Sequence, residues 1–314
     1  MSTPSHPTGR TDPSHTDLLV VGGGPAGCAA ARTAASVGMS SILIEPDVLC
    51  RNLYRIPALN NVLGGHTDGT ALATAITAEL HGTELCRIEL GRYVTELRAH
   101  DDHVTATLDT GRHLSAPYAV VATGVGPRQP HDTPWITAPP DLTLPPLWRA
   151  GAEDAEGRTL LVLGGDRPIG TFLRAHPRVR TRLLVAYPAA DDYKTEEIRD
   201  DPRVTLLPAE HLTLHPSDAP SATAELLDRT GTGHPLSADA AYLALGSAPT
   251  SPPGDLIRDP VGYCPPTAQH PRLIVAGDLR SPRYQRIQTA LGSGSESALR
   301  AYYTTRDLPT GGTG

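Results

Sequence analysis

Three glycines spaced Gly22-x-Gly24-x-x-Gly27, with Glu45 eighteen residues past the last of them, are the most chemically informative pattern in the chain. Each glycine has a mechanical reason. Gly22 permits a tight turn, Gly24 lets backbone approach a pyrophosphate, and Gly27 lets a helix pack close to the strand before it. Amides at the start of that helix have no partner within it, and with the helix dipole they favour an anion. Glu45 can accept hydrogen bonds from a ribose diol. Together these features predict a bound dinucleotide.

The elements that must position them follow from periodicity. Asp17–Val21 reads as a compact apolar strand, followed by an Ala-rich helix to about Val37 and a second strand, Ser41–Ile44, ending in Glu45. A helix is expected over Gly69–Leu80. Tyr93–Ala99 and His103–Leu108 have the period-two character of an antiparallel meander, and Tyr118–Ala122 is a buried strand leading into Thr123-Gly124. The Pro-rich stretch Pro127–Pro146 reads as a linker. A second strand–turn–helix unit begins at Thr159–Leu163, turns at Gly164-Gly165-Asp166 and enters a helix near Pro168–Ala175. Strands at Arg182–Ala186, Val204–Leu207 and Ala240–Leu245 follow, with another meander among them. Leu273–Val275 then leads into Ala276-Gly277-Asp278 and a long helix over roughly Tyr284–Tyr303. The expected fold is α/β: two Rossmann-type (three-layer ββα) dinucleotide-binding domains, the second inserted in the first, each with a small antiparallel meander. The expected division is a flexible tail at 1–16, a cofactor domain over 17–130 and 262–314, a linker at 131–158, and a degenerate second nucleotide domain over 159–261.

Composition removes other classes. At 314 residues and 39% hydrophobic the chain can build two cores, and with a single Phe those cores must be aliphatic. A net charge of −7 offers no basic footprint for nucleic acid or anionic membrane. No apolar run nears the roughly 18 residues that span a bilayer, and the first residues lack a signal-peptide pattern. Cys28, Cys50, Cys86 and Cys264 lie far apart, which suits neither a disulfide scaffold nor a zinc site, so a cytoplasmic location is expected and no metal.

Two further segments, Val120-Val121-Ala122-Thr123-Gly124 and Leu273-Ile274-Val275-Ala276-Gly277-Asp278, resemble those expected of a flavoprotein with two dinucleotide domains. Asp278 would meet the ribityl–phosphate region of FAD, and the helix starting near Arg286 would aim its positive end at the flavin. From Tyr284-Gln285-Arg286-Ile287-Gln288-Thr289-Ala290-Leu291-Gly292-Ser293-Gly294 and the turn Asn60-Asn61-Val62-Leu63-Gly64, the chain resembles the low-molecular-weight thioredoxin reductases over nearly its whole length. Arg51-Asn52 and Asn61–Thr70 look most like the branch of dithiol oxidases acting on sulfur-containing natural products. The resemblance implies FAD as cofactor and a homodimer. With the residues read above, the expected cofactor contacts are Gly22, Gly24, Pro25, Ala26, Gly27, Glu45, Arg51, Asn52, Asn61, Val94, Ala122, Thr123, Gly124, Gly277, Asp278, Arg286 and Ile287.

The chain departs from that family twice. Its members place a Cys-x-x-Cys pair between the Ala-Thr-Gly segment and the second glycine turn, and here Gly124 to Gly164 contains no cysteine. The second turn, Gly164-Gly165-Asp166-Arg167-Pro168-Ile169-Gly170, sets a carboxylate where the middle glycine would approach a pyrophosphate, with steric and like-charge opposition. A shifted register through Gly165 and Gly170 would be the way to recover it. The basic cluster for a 2′-phosphate is also missing: Ala186–Lys194 has Lys194 alone. NAD(P)H binding is therefore doubtful. With the flavin itself as the reactive group, His66, Cys50 and Arg286 are the side chains with suitable chemistry near it, while Cys28 reads as packing and Tyr302 and Tyr303 as helix-end packing or flavin stacking. The reading by elimination is an FAD-dependent oxidoreductase acting directly on a small molecule of specialised metabolism, the flavin reoxidised by oxygen or a protein carrier. Alternatives are an NADH- or ferredoxin-linked flavin reductase and a non-catalytic flavin-binding partner subunit.

Overall fold

The computed structural model describes residues 14–56, 59, 61–216 and 221–306. In chain order the main elements are β1 (Leu18–Val21), α1 (Pro25–Ser36), β2 (Ser41–Glu45), α2 (Gly69–His81), β3 (Cys86–Leu90), β4 (Val94–Ala99), β5 (Val104–Leu108), β6 (His113–Ala116), β7 (Tyr118–Val121), β8 (Val125–Pro127), β9 (Ile136–Thr137), α3 (Ala152–Ala155), β10 (Thr159–Leu163), α4 (Pro168–Ala175), β11 (Arg182–Pro188), β12 (Val204–Ala209), β13 (His211–His215), β14 (Ala222–Leu227), β15 (Gly233–Ala238), β16 (Ala240–Leu243), β17 (Ser247–Pro249), β18 (Leu273–Val275) and α5 (Ile287–Thr305). They fall into two compact units, one made of the chain up to Val125 and from Pro249 onward, the other of Gly126–Ala248.

In the first unit a parallel sheet runs β18-β7-β1-β2-β3 beside an antiparallel β4-β5-β6 meander. Alternation along β1 separates two cores. Leu18 and Val20 face α1 and α5, together with Ala30, Ala34, Ala298 and Ala301. Leu19 and Val21 face the meander with Leu97, Val104 and Leu114. Small residues dominate the helical face, so α1 and α5 approach each other closely. The second unit repeats the scheme with a parallel β12-β11-β10-β16 sheet and a β15-β14-β13-β9 sheet. There Leu160 and Val162 face one core and Leu161 and Leu163 the other. The α/β, two-domain Rossmann-type architecture is the expected one.

The structure redraws several expected boundaries. Residues 131–158 are not a linker: β9 pairs with β13 through Ile136↔Leu212 and Thr137↔Thr213, and Leu147, Ala150 and Ala155 are buried in the second unit's core. Proline there removes amide donors but leaves Ile136 free to join a sheet edge. Residues 249–261, expected in the second domain, belong to the first unit, where Leu97 donates to the Pro253 carbonyl and Asp255 accepts from Ala99. The expected 1–16 tail covers residues 1–13, which lie outside the described residues, and Ser14–Thr16, which are held: the Ser115 amide donates to Ser14 O and Thr16 donates to Ser115 O. The last helix begins at Ile287 and not Tyr284, because Tyr284 has φ 62° and Arg286 is extended.

Candidate functional site

The glycine turn of the first unit is built as its spacing requires. Gly22 has φ 105°, and a Cβ there would stand 2.5 Å from the Ala122 carbonyl oxygen, so no other residue fits. A Cβ on Gly27 would stand 1.8 Å from the Gly22 oxygen, which is the close strand–helix approach expected of the third glycine. Gly24 differs: its conformation is ordinary (φ −73°), and a Cβ there would meet nothing within 4 Å. The fold does not require glycine at 24. The space in front of it is a cradle beside the first amides of α1, which opens with Pro25 and has no side-chain cap.

Glu45, at the end of β2, turns its carboxylate towards the glycine turn. Glu45 Oε2 accepts from the Gly23 amide at 2.6 Å and Oε1 accepts from the Asp47 amide at 3.1 Å, so its carboxylate is fixed and still has lone pairs to offer. After β7, the strand beside β1, Gly124 (φ 67°) follows Thr123, and Thr250 Oγ1 donates to both carbonyls, at 3.1 and 3.2 Å. Ala122 is buried and donates to Val21 O. Gly277 (φ 68°) packs towards Ala26 and donates to Ser293 Oγ at 2.9 Å, which ties the β18 turn to α5. These residues, with Pro25, Ala26 and Ile287 at the two helix starts, fit the pyrophosphate and sugar portions of FAD.

Asp278 stands next to Gly277 and is more than half buried. Burial pushes its carboxyl above the usual carboxylate range, and Arg280 and Arg286 pull in the opposite direction. A carboxyl whose pKa is higher folded than unfolded binds more protons in the folded state, so stability falls as pH rises from the ordinary Asp value into the raised one. Asp278→Asn is therefore expected to raise the melting temperature of the flavin-free protein at pH 7. The gain should shrink as pH falls towards about 4. Thermal unfolding of both proteins across that range checks the sign.

Other expected contacts are placed less directly. Arg51 pairs with Asp47 at 3.1 Å, and Asn52 Oδ1 accepts from Arg55 at 2.8 Å, so both polar groups are engaged locally. Val94 is a core residue, its side chain buried against the meander, which leaves only its main chain for a ligand. Asn61 is exposed, and its neighbour Asn60 lies outside the described residues. Arg286 is exposed and its guanidinium donates to the Gln285 carbonyl. His66 is partly exposed beside Gly64. Cys50 is not on a cofactor-facing surface: it is fully buried, 3.8 Å from Cys28. The shared core of α1 and the segment after β2 explains that placement, and sequence spacing gave no sign of it.

The second unit's turn starts alike and ends differently. Gly164 (φ 94°) presses on Ala244 O as Gly22 does on Ala122 O. The Gly164 amide donates to Ala186 O as that of Gly22 donates to Ile44 O, so Tyr187 occupies the register of Glu45. Tyr187 is buried and its hydroxyl donates to Asp192 Oδ1 at 2.8 Å. Burial, then the Asp192 carboxylate, push its phenol up, so it stays protonated and bonded to its own chain. Arg199 donates to the other oxygen of Asp192, and Lys194 pairs with Asp191 at 3.1 Å. Asp166 donates its amide to Ala244 O, spending a donor that a phosphate would need. Gly170 falls two residues after the helix-opening Pro168, as Gly27 falls two after Pro25, but Gly164 and not Gly165 makes the tight turn, so the shifted register through Gly165 is not formed. The Glu197 carboxylate stands 2.7–2.8 Å from where a Cβ on Gly170 would be.

Residues 16–138 match the family of pyridine nucleotide-disulphide oxidoreductases. Over its length the chain shares the fold of thioredoxin reductase from Lactococcus lactis, with a TM-score of 0.72 at 19% identity, covering 93% of this chain and 100% of that one. The chain thus has the thioredoxin reductase fold, and its first part matches the oxidoreductase family model. The bacillithiol disulfide reductase of Bacillus cereus has the same fold, with a TM-score of 0.70 at 14% identity over 92% of this chain and 99% of the other. Among curated proteins it is 23% identical over 309 residues to an alkyl hydroperoxide reductase component of Pseudomonas putida, covering 91% of this chain and 57% of that protein. The chain thus spans just over half the length of that relative. Among the described residues no helix is long and apolar enough to cross a membrane, and no cluster of three or more His, Cys, Asp or Glu could hold a metal.

Proposed function

We propose that this chain is an FAD-dependent oxidoreductase that oxidises a small-molecule substrate directly at its flavin, without a redox-active disulfide and without productive NADPH binding. The observation that carries the reading is the contrast between the two glycine turns. The first is open at Gly24 with an acid at Glu45. The second has a carboxylate at Asp166, a self-bonded tyrosine at the ribose position and Glu197 over the helix start. Three anionic or blocking groups where a nucleotide needs donors make binding there unfavourable. The chain also lacks two cysteines three apart, so the usual route from flavin to an external disulfide is missing. When bound, the flavin supplies two-electron chemistry. This chain's residues hold its phosphates, fix its sugar hydroxyls and set Asp278 and the start of α5 beside it. Oxygen or a protein carrier would take the electrons away. Cytoplasmic location, a homodimer and a place in specialised metabolism belong to the same proposal.

The test is anaerobic titration of the yellow protein with NADPH and then NADH. The flavin absorbance is expected to persist with either nucleotide, whose binding a few kcal/mol of like-charge opposition weakens roughly 1,000-fold, while dithionite bleaches it. Rapid bleaching by either nucleotide would sink the reading. It would favour an NADH- or ferredoxin-linked flavin reductase. No reduction by any donor, together with a stable complex with another protein, would favour a flavin-binding partner subunit.

A further inference from the structure

Directly beneath the open glycine turn lies a thiol pair that phosphate binding does not use. Cys28, in the first turn of α1, and Cys50, on the segment after β2, bring their Sγ atoms to 3.8 Å. Both are fully buried. Cys50 has φ 56°, a left-handed conformation that a non-glycine residue keeps only where its surroundings hold it. Its amide donates to Gly23 O at 2.8 Å, and the Cys28 thiol donates to that same carbonyl at 3.3 Å. The Gly23 amide in turn donates to Glu45. The middle of the cofactor turn is thus clamped by an acid on one side and by the two cysteines on the other.

We propose that Cys28 and Cys50 are a redox-modification site, forming a reversible disulfide that is coupled to occupancy of the cofactor turn. Their separation must shrink by roughly 1.8 Å to reach a bond of about 2.05 Å, which the irregular segment carrying Cys50 can supply. Hydrogen peroxide is the oxidant. Two S–H bonds and the O–O bond break and one S–S bond forms. The thiols give up two electrons and two protons, and the peroxide leaves as two waters. The Cys28 thiol then no longer donates to Gly23 O, so the turn loses one of its restraints. The hydrogen bond to Cys50, together with burial, pushes the Cys28 thiol well up, which keeps it protonated and slow to react while the turn stays closed. Cofactor seated on the turn therefore protects the pair, and by reciprocity the disulfide weakens cofactor binding. Cys264 lies in the other core, against the meander, and does not compete.

The coupling rests on FAD occupying this turn; the pairing itself does not. The experiment treats the full chain with hydrogen peroxide, with and without added FAD, then alkylates, digests without reductant and maps peptides by mass spectrometry. One Cys28–Cys50 linkage is expected, with titratable thiols falling from four to two and returning with dithiothreitol. FAD should slow the linkage by roughly tenfold, the scale of ordinary site-to-site coupling. Cys28→Ser should abolish the linkage, and Cys50→Gly, which also relieves the left-handed strain, should do the same in a folded protein. Four surviving thiols, or oxidation diverted to sulfinic acid or to Cys86 or Cys264, would overturn the pairing. A linkage whose rate ignores FAD in a protein that binds it would overturn the coupling alone. A chain that binds no FAD, yet links Cys28 to Cys50, would count against the flavin reading and leave the pairing intact.

Discussion

Gly24→Asp is expected to strip the protein of FAD while making the empty protein more stable. The two effects have opposite signs because they arise from different neighbours. A side chain at 24 meets no protein atom within 4 Å, and φ −73° suits any residue. Gly24 is the N-cap of α1, which has no side-chain cap and no acid in its first turn. Aspartate there would accept an orphan amide and favour the helix dipole, stabilising the apo protein by a few tenths of a kcal/mol to about 1 kcal/mol. With cofactor the same carboxylate stands in the cradle of a pyrophosphate. Like charges about 4 Å apart at an effective dielectric near 20 oppose each other by about 4 kcal/mol, or roughly a thousandfold in Kd. Flavin content after desalting and the melting temperature of the apo protein give the two readings. A Gly24→Asp protein that stays yellow would show that the cofactor's phosphates lie elsewhere.

The variant reproduces in the first turn what the second turn already has. There Asp166 supplies the anion beside α4, and Glu197, paired with Arg174, covers Gly170. The second unit satisfies internally the groups that a nucleotide would otherwise satisfy, through Tyr187, Asp192 and Arg199 as well.

How much of this was legible in the sequence depended on where each strand lies. β1, β7, β10 and β18 are buried on both faces and read as unbroken apolar runs, so their bounds were visible to within a residue. β3 was not: Cys-Arg-Ile-Glu-Leu sits at a sheet edge, with Arg87 and Glu89 partly exposed, and carries no apolar run. β9 was hidden by the prolines around it, since two residues with one buried side chain, Ile136, leave no periodicity. At the site, Glu45 was readable because an acid after an apolar strand is a local signal. The equivalence of Tyr187 to Glu45 was not, because it depends on a pairing register that only the folded sheet fixes. The Cys28–Cys50 approach was equally invisible, since it joins a helix start to a loop that only their common core brings together.

Two glycines of α5, two residues apart, make the sharpest test of the frame that carries the site. Helix propensity alone predicts that Gly→Ala stabilises at either position by about 1 kcal/mol. At Gly292, which is exposed with open space around it, nothing opposes that gain, and a rise of roughly 3 °C is expected for a domain of this size. At Gly294 a Cβ would stand 1.9 Å from the Ala26 carbonyl oxygen and 2.7 Å from its carbon. Those are backbone atoms of α1, which cannot rotate aside, so the helices must move apart. Overpacking of this kind costs about 3 kcal/mol or more, outweighs the propensity term and should lower the melting temperature by roughly 6 °C or more. The displacement would reach further than stability. Ala26 lies in the first turn of α1, Gly277 packs on its side chain, and Ser293 holds the Gly277 amide. A shift of α5 therefore disturbs both ends of the cofactor cradle, and Gly294→Ala should lose flavin in parallel with its stability. An alanine at 294 that behaves like one at 292 would mean that α1 and α5 do not meet as closely as this packing requires.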